Sequence, residues 1–429
     1  MSPHVLSILV LVAIFLIGTV RSINLGVLAL VGVFAVGSLS FNADKAEVLA
    51  GFPADLFVIL VGVTYLFAIA KRNGTVDWLV QLSVRAVRGR VAALPWVMFV
   101  LSAVLVSLGA LSPAAVAIIA PIGMAFAARY QINPLLMGLM VIHGSSAGNF
   151  SPLGVLGVIT NGVVARSELP ASPMTIFVSN LVFNVVLAAI IYVAFGGMRL
   201  LRAGALCVDD PDPEAGTGTG GVATKTRAAT VTARREQLVT VAGLVILAVG
   251  ALVFDLDIGL TAMSIAAVLA ILSPIRAKEA VADISWAVVL LICGIVTYIG
   301  FLESVGTVDY IGHGIASVSS PLLAALVLLF VGAVVSAFAS TTGILGALIP
   351  LAVPLLAAGH LSAVAVIAAL SISASVVDCS PFSTNGALVV ANSPQGKEND
   401  VYRGLMIWGF SLVAITPLVT WATFVLPGW

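Results

Sequence analysis

Charge is the scarcest property of this chain. Only 9% of its 429 residues are Asp, Glu, Lys or Arg, where a soluble domain carries about 25%. The 19 basic and 19 acidic residues cancel, so no basic surplus points to nucleic acid. Cysteine is rare as well: Cys207, Cys293 and Cys379 lie too far apart for a disulfide framework or a metal cluster. No nucleophile–base pair stands out, which leaves an intramembrane enzyme without support. Acidic residues within apolar stretches are nearly absent, which speaks against an antiporter moving only cations.

Apolar residues fill the space left by charge. They make up 61% of the chain, with a mean hydropathy of +1.18, and imply an all-α integral membrane protein in a lipid bilayer. The opening "MSPHVLSILVLVAIFLIGTVRS" has neither a basic leader region nor a small-x-small cleavage site, so it is expected to be a retained first span. Stretches of span length fall near 5–20, 23–40, 54–70, 173–198, 236–253, 258–274, 284–301 and 403–426. Residues 134–164 and 361–391 are apolar segments interrupted by a Ser-Pro pair. Residues 92–128 and 320–359 are too long for one span and short for two. The Pro, Gly and acid-rich stretch "DDPDPEAGTGTGGVATKTRAAT" reads as a linker with little to bury.

The two halves match each other. Ser151-Pro152 and Ser380-Pro381 are offset by 229, as are Pro121 and Pro350, Ser107 and Ser336, Ser112 and Thr341, Ser146 and Ser375, and Gly157 and Gly386. "GTVDW" at 74–78 matches "GTVDY" at 306–310 with an offset of 232. Lys71, Arg72, Arg85, Arg88 and Arg90 mark the first of these regions as cytoplasmic, whereas 302–319 holds no Lys or Arg. Matched sequences on opposite faces imply an inverted repeat, a build common in secondary transporters. The expected layout is a first repeat at 1–200 with hairpin 92–128, a cytoplasmic linker at 201–235, and a second repeat at 236–429 with hairpin 320–359. Each repeat holds five spans and one re-entrant hairpin, and both termini fall outside.

Each half carries two polar interruptions: "SLGALSPAA" and "SAFASTTGI" in the hairpins, "SAGNFSPLG" and "SVVDCSPFS" at the Ser-Pro breaks. Irregular backbone at membrane depth is tolerated where it lines a cavity. Helix N-termini starting there attract anions, and freed carbonyls attract cations. These stretches are expected to build one site for an anion and its coupling cation, although Ser and Thr in membrane helices also serve as interhelical glue. Asp378, placed well inside a span and paired by the repeat with Asn149, is a functional candidate. It is open to reading as a structural donor too. His143 reads as a packing histidine, and Asp77 and Asp309 as helix-capping groups. No Lys or Arg lies in the breaks, so an anionic substrate would need a cation or a proton to travel with it.

The stretches "GSSAGNFSPLGVLGVITNG" and "DCSPFSTNGALVVAN" resemble the ion transporter superfamily. The pattern is most similar to dicarboxylate carriers of the MatC (malonate) type and is related to divalent anion/sodium symporters. The resemblance implies a homodimeric, elevator-type symporter of the inner membrane that takes up a malonate- or succinate-sized dicarboxylate with Na+ or H+ and needs no other cofactor. Carried onto this sequence, the substrate-binding candidates are Ser112, Pro113, Asn149, Ser151, Pro152, Ser340, Thr341, Thr342, Ser380, Pro381, Ser383, Thr384 and Asn385. The candidates for a sodium ion are Ser107, Ser112, Phe150, Ser336, Thr341, Asp378 and Cys379. The symporters' tip asparagines are replaced here, which leaves room for a proton at Asp378 in place of one cation. The alternative is the large membrane subunit of a binding-protein-dependent (TRAP-type) carboxylate transporter.

Overall fold

The computed structural model of the chain describes residues 2–21, 23–76, 78–79, 90–170, 172–202, 226–254, 256–307, 310, 320–338, 341–357 and 361–428. Ser340, Asp77, Asp309 and most of the 201–235 linker therefore lie outside the described residues, and of Thr342 and Pro350 only the backbone is described.

The main helices of the first half are α1 (Pro3–Arg21), α2 (Leu25–Val36), α3 (Ala54–Arg72), α4 (Leu94–Ser107), α5 (Ser112–Arg129), α6 (Pro134–Gly148), α7 (Val155–Arg166) and α8 (Pro173–Ala194). Those of the second half are α9 (Thr226–Val253), α10 (Ile258–Leu272), α11 (Trp286–Ser304), α12 (Pro321–Phe338), α13 (Thr341–Ala357), α14 (Ala363–Ser375), α15 (Thr384–Ala391) and α16 (Glu398–Thr420). Among the described residues six stretches are long and apolar enough to cross a membrane on their own, and shorter apolar helices such as Leu25–Phe41 and Ile258–Leu272 accompany them. The chain is a multi-pass membrane protein.

Local sequence sets where these helices begin. Asn24, Asn133, Asp257 and Ser362 accept backbone N–H bonds at the starts of α2, α6, α10 and α14. Proline occupies the first turn of α4, α5, α6 and α8, where its missing N–H costs nothing.

Packing joins the halves by reciprocal exchange. α2 lies on α11 and α3 lies on α10, while α5 packs on α15 and α7 on α13. Likewise α8 meets α14 and α16 meets α6. Lipid offers no hydrophobic drive for helix association, so close approach through small residues supplies it. Glycine sits at both crossings outside the polar breaks: Gly26 against Gly294, and Gly62 against Gly259. Separate apolar cores form around α1, α2 and α11, around α3, α9 and α10, and around the hairpins and interrupted segments.

Candidate functional site

The first hairpin turns because α4 ends in a Schellman cap. Gly109 takes φ +110°, the Ala110 N–H reaches the Leu105 carbonyl at 3.0 Å and the Gly109 N–H reaches Val106 at 3.1 Å. Leu111 then precedes α5, which opens on Ser112-Pro113. In the second hairpin α12 ends at Phe338 and α13 opens on Thr341.

The Ser-Pro segments are interruptions of the expected kind, with one difference. Pro152 and Pro381 do not sit inside a helix. They lie in the turns between α6 and α7 and between α14 and α15, the second turn preceded by a 3-10 segment at Val376–Cys379. Ser151 donates to the Ser107 carbonyl at 2.9 Å, and Ser380 donates to the Ala337 carbonyl at 2.7 Å. Each hydroxyl thus satisfies a carbonyl freed at the end of a hairpin's first helix. Gly157 and Gly386 lie where a Cβ would come within 2.0 Å of the Ser151 and Ser380 carbonyl oxygens. Only glycine lets α7 and α15 fold back this closely over the turns.

All four interruptions converge on one small cleft. The first tip contributes Leu111, Ser112 and Pro113, and the first break contributes Asn149 with Val155 and Leu156 of α7. Thr341 comes from the second tip, and Asp378, Thr384 and Asn385 from the second break. Ser151, Pro152, Ser380, Pro381 and Ser383 do not line it. Ser383 caps α15 by accepting from the Gly386 N–H at 3.2 Å and donates to the Ser380 carbonyl at 2.8 Å. Among the sodium candidates, Ser112, Thr341 and Asp378 reach the cleft, whereas Ser107, Phe150, Ser336 and Cys379 stand behind it.

The hydrogen bonds have a forced direction. Ser145 donates to the Ile142 carbonyl at 2.7 Å, so it accepts from Ser112 at 2.8 Å. Ser112 in turn accepts from the Asn385 Nδ2 at 2.8 Å. That leaves the Asn385 Oδ1 buried without a partner, as is the Asn149 Nδ2. An unmade bond at a buried group costs about 1–3 kcal/mol, so one orphan donor and one orphan acceptor at a cleft mark a place for a ligand or water. In the second half Ser336 donates to the Ala374 carbonyl at 2.7 Å. Its oxygen is 2.7 Å from that of Thr341, so Thr341 donates to it, and Thr341 borders the cleft together with Asp378. Among the described residues that line it there is no Lys, Arg or His, and Asp378 is their sole acid.

Residues 1–149 match the family of the dicarboxylate carrier protein MatC N-terminus. The MatC-type likeness of the sequence is thereby shown over this part of the chain. The fold resembles the Alcanivorax borkumensis YdaH transporter, whose crystal structure was described as having an unusual topology. The two superpose with a TM-score of 0.60 at 14% identity, over 88% of this chain and 87% of that one. No curated protein matches the sequence. The family match lies within residues 1–149, and the likeness to the transporter is one of fold.

Sequence reasoning passed over the apolar wall of Val106, Ala110, Val155 and Leu156, which nothing in a hydrophobic run singles out. It also passed over Asn180 and Asn184, whose amides lie behind the first break. Two asparagines four residues apart in an otherwise apolar span were the available signal.

Proposed function

We propose that the chain carries a small dicarboxylate of malonate or succinate size across the inner membrane, coupled to Na+ or H+. The observation that carries this reading is the cleft itself. Two hairpin tips and two interrupted segments meet there, with an unpartnered Asn149 donor and Asn385 acceptor. The N–H groups of helix starts at Ser112 and Thr341 suit carboxylate oxygens. The absence of a cationic side chain among the described lining residues supports a travelling cation or proton, because a dianion would otherwise enter a site that already holds Asp378. Thr341 and Asp378 are the proposed oxygen donors nearest a sodium ion, with Ser336 and the Cys379 carbonyl behind them.

Reciprocal packing of α2 on α11 and α3 on α10, and of α5 on α15 and α7 on α13, supports an inverted repeat. The glycine crossings fit it too, since Gly26 precedes Gly259 by 233 and Gly62 precedes Gly294 by 232. The second offset is that of the "GTVD" motifs, and the first differs from it by one residue. An elevator-type homodimer, with α1–α3 and α9–α11 as scaffold and the hairpins and interrupted segments as the moving unit, is the mechanism proposed for it.

Uptake of labelled C3–C6 acids into proteoliposomes, with sodium and proton gradients imposed separately, tests the substrate and the coupling. Uptake that requires an added periplasmic solute receptor would move the chain to the receptor-dependent class. Cysteines placed near residues 80 and 312 test the topology. The first should react with impermeant reagents only from the cytoplasm and the second only from outside, and labelling from one common face would remove the inverted repeat.

A further inference from the structure

Behind the cleft runs a buried chain of side chains whose donors all point one way. Trp408 on α16 donates its indole N–H to the Nε2 of His143 at 3.0 Å. An indole can only donate, so Nε2 accepts and the ring's proton is on Nδ1. Nδ1 meets the Oδ1 of Asn184 at 3.1 Å, which turns the Asn184 Nδ2 toward Asn180, 3.0 Å from its carbonyl and 3.1 Å from its Oδ1. The Asn180 Nδ2 therefore faces the carbonyls of Ser146 and Ala147, at 2.7 and 3.3 Å. Carbonyls can only accept, so both ends of the chain are fixed and no amide along it can flip without placing like against like.

The far end of this chain is where the two interrupted segments approach each other. Ser146 and Ala147 form the last turn of α6, immediately before Asn149. The Asn180 Oδ1 also lies 3.4 Å from the hydroxyl of Ser375, the last residue of α14. Ser146 and Ser375 are repeat partners at the 229 offset. One fully buried side chain on α8 thus touches the equivalent turn of both halves.

We propose that Asn180 is a positioning residue that clamps the ends of α6 and α14 together and so aims the Asn149 amide at the cleft. It contacts no ligand itself. Its orientation is set by His143 and Asn184, and its effect is delivered through the Ser146–Asn149 turn. The inference deepens the carrier reading and rests on it for the uptake arm of its test.

The experiment uses the full chain in proteoliposomes and in nanodiscs. Asn180→Ala should raise the KM for dicarboxylate about tenfold, the loss of one hydrogen-bond equivalent, with kcat changed less. Asn180→Asp sets a carboxylate against two carbonyls with nothing to donate, and protonation restores one donor. The ratio of its kcat/KM to that of the wild type should therefore rise as the medium is acidified, a response that a filler of space does not give. Hydrogen exchange provides the arm independent of transport: in Asn180→Ala, amides 146–157 should exchange faster while those of α2 and α11 do not change. Unchanged exchange at 146–157, exchange that speeds up everywhere, or a flat Asn180→Asp ratio would each overturn the clamp. A wild-type chain that takes up no dicarboxylate sinks the carrier reading instead, and the exchange result then decides Asn180 alone.

Discussion

Gly294 crosses Gly26 so closely that a Cβ on Gly294 would stand 2.0 Å from the Gly26 carbonyl oxygen, and one on Gly26 would stand 1.8 Å from that of Leu290. Backbone, not a yielding side chain, occupies the space. Gly294→Ala or Gly26→Ala must therefore separate α2 from α11, and overpacking of this kind costs about 1–3 kcal/mol. Either variant is expected to lose thermal stability in detergent. Gly346→Ala is the control, because its new methyl would meet the Ile292 side chain at an ordinary 3.4 Å. Equal melting of all three variants would refute the backbone crossing as a stability determinant.

Thr341 is the proposed partner of both substrate and cation. It opens α13, its oxygen is 2.7 Å from Ser336, and it borders the cleft beside Asp378. Thr341→Ala removes one polar partner from a desolvated charged ligand, a loss of about 1–3 kcal/mol in binding. A titration of substrate binding at fixed sodium should record the weaker affinity. Wild-type affinity together with wild-type sodium dependence in a folded Thr341→Ala protein would take Thr341 out of the site.

How much of this was legible in the sequence follows the type of residue. Matched prolines, serines and glycines announced the four interruptions, because such residues are rare in apolar helices and their spacing repeats. Periodicity could not tell that Ser151 and Ser380 bind freed carbonyls while Asn385 turns into the cleft. A hydroxyl or amide beside a break is the same letter whether it faces backbone or ligand, and only the fold-back of α7 and α15 sorts them. The glycine crossings were hidden for another reason. Gly26, Gly62, Gly259 and Gly294 are 4 of 40 glycines, and no local pattern marks which of them meets another helix.

His143 is expected to be a packing residue. It is fully buried, with Trp408 donating to one ring nitrogen and Asn184 facing the other. A second proton on the ring would oppose the indole N–H. His143→Gln should therefore keep the pH profile of uptake, whatever it does to stability. A shifted or flattened profile would make His143 a relay.

Outside the spans, the carboxyl of Asp283 is held below the usual carboxylate range, chiefly by its hydrogen bond from Arg72 at the end of α3 and further by that guanidinium's charge. A depressed folded-state pKa means the contribution is present above the unfolded value and is lost as pH falls through the folded one. The tie between α3 and the 274–283 segment should weaken with acid, and with salt because the pair is solvent-facing. Asp283→Asn should blunt this acid sensitivity in melting curves. An identical acid dependence in variant and wild type would dismiss the pair as a contributor.

On the proposed reading, Asp378 is the residue that selects the coupling ion. It is the sole acid among the described residues of the cleft, it lines the cleft with Thr341, and its repeat partner Asn149 cannot titrate. Thr341 lines the cleft with it, and on the proposed reading the Thr341 hydroxyl and carbonyls of the interrupted backbone would supply the oxygen ligands a hard cation requires. The expected result is that Asp378→Asn raises the sodium concentration needed for half-maximal uptake and leaves the pH response near that of the wild type. Removing the charge weakens the cation site, while counterflow exchange of substrate continues. The opposite outcome, in which acid-stimulated accumulation disappears, exchange survives and sodium dependence does not move, would assign Asp378 to the proton. Wild-type sodium and pH profiles in Asp378→Asn would make the carboxyl structural and confine coupling to the two hairpin tips, where Ser112 and Thr341 would be the next positions to replace.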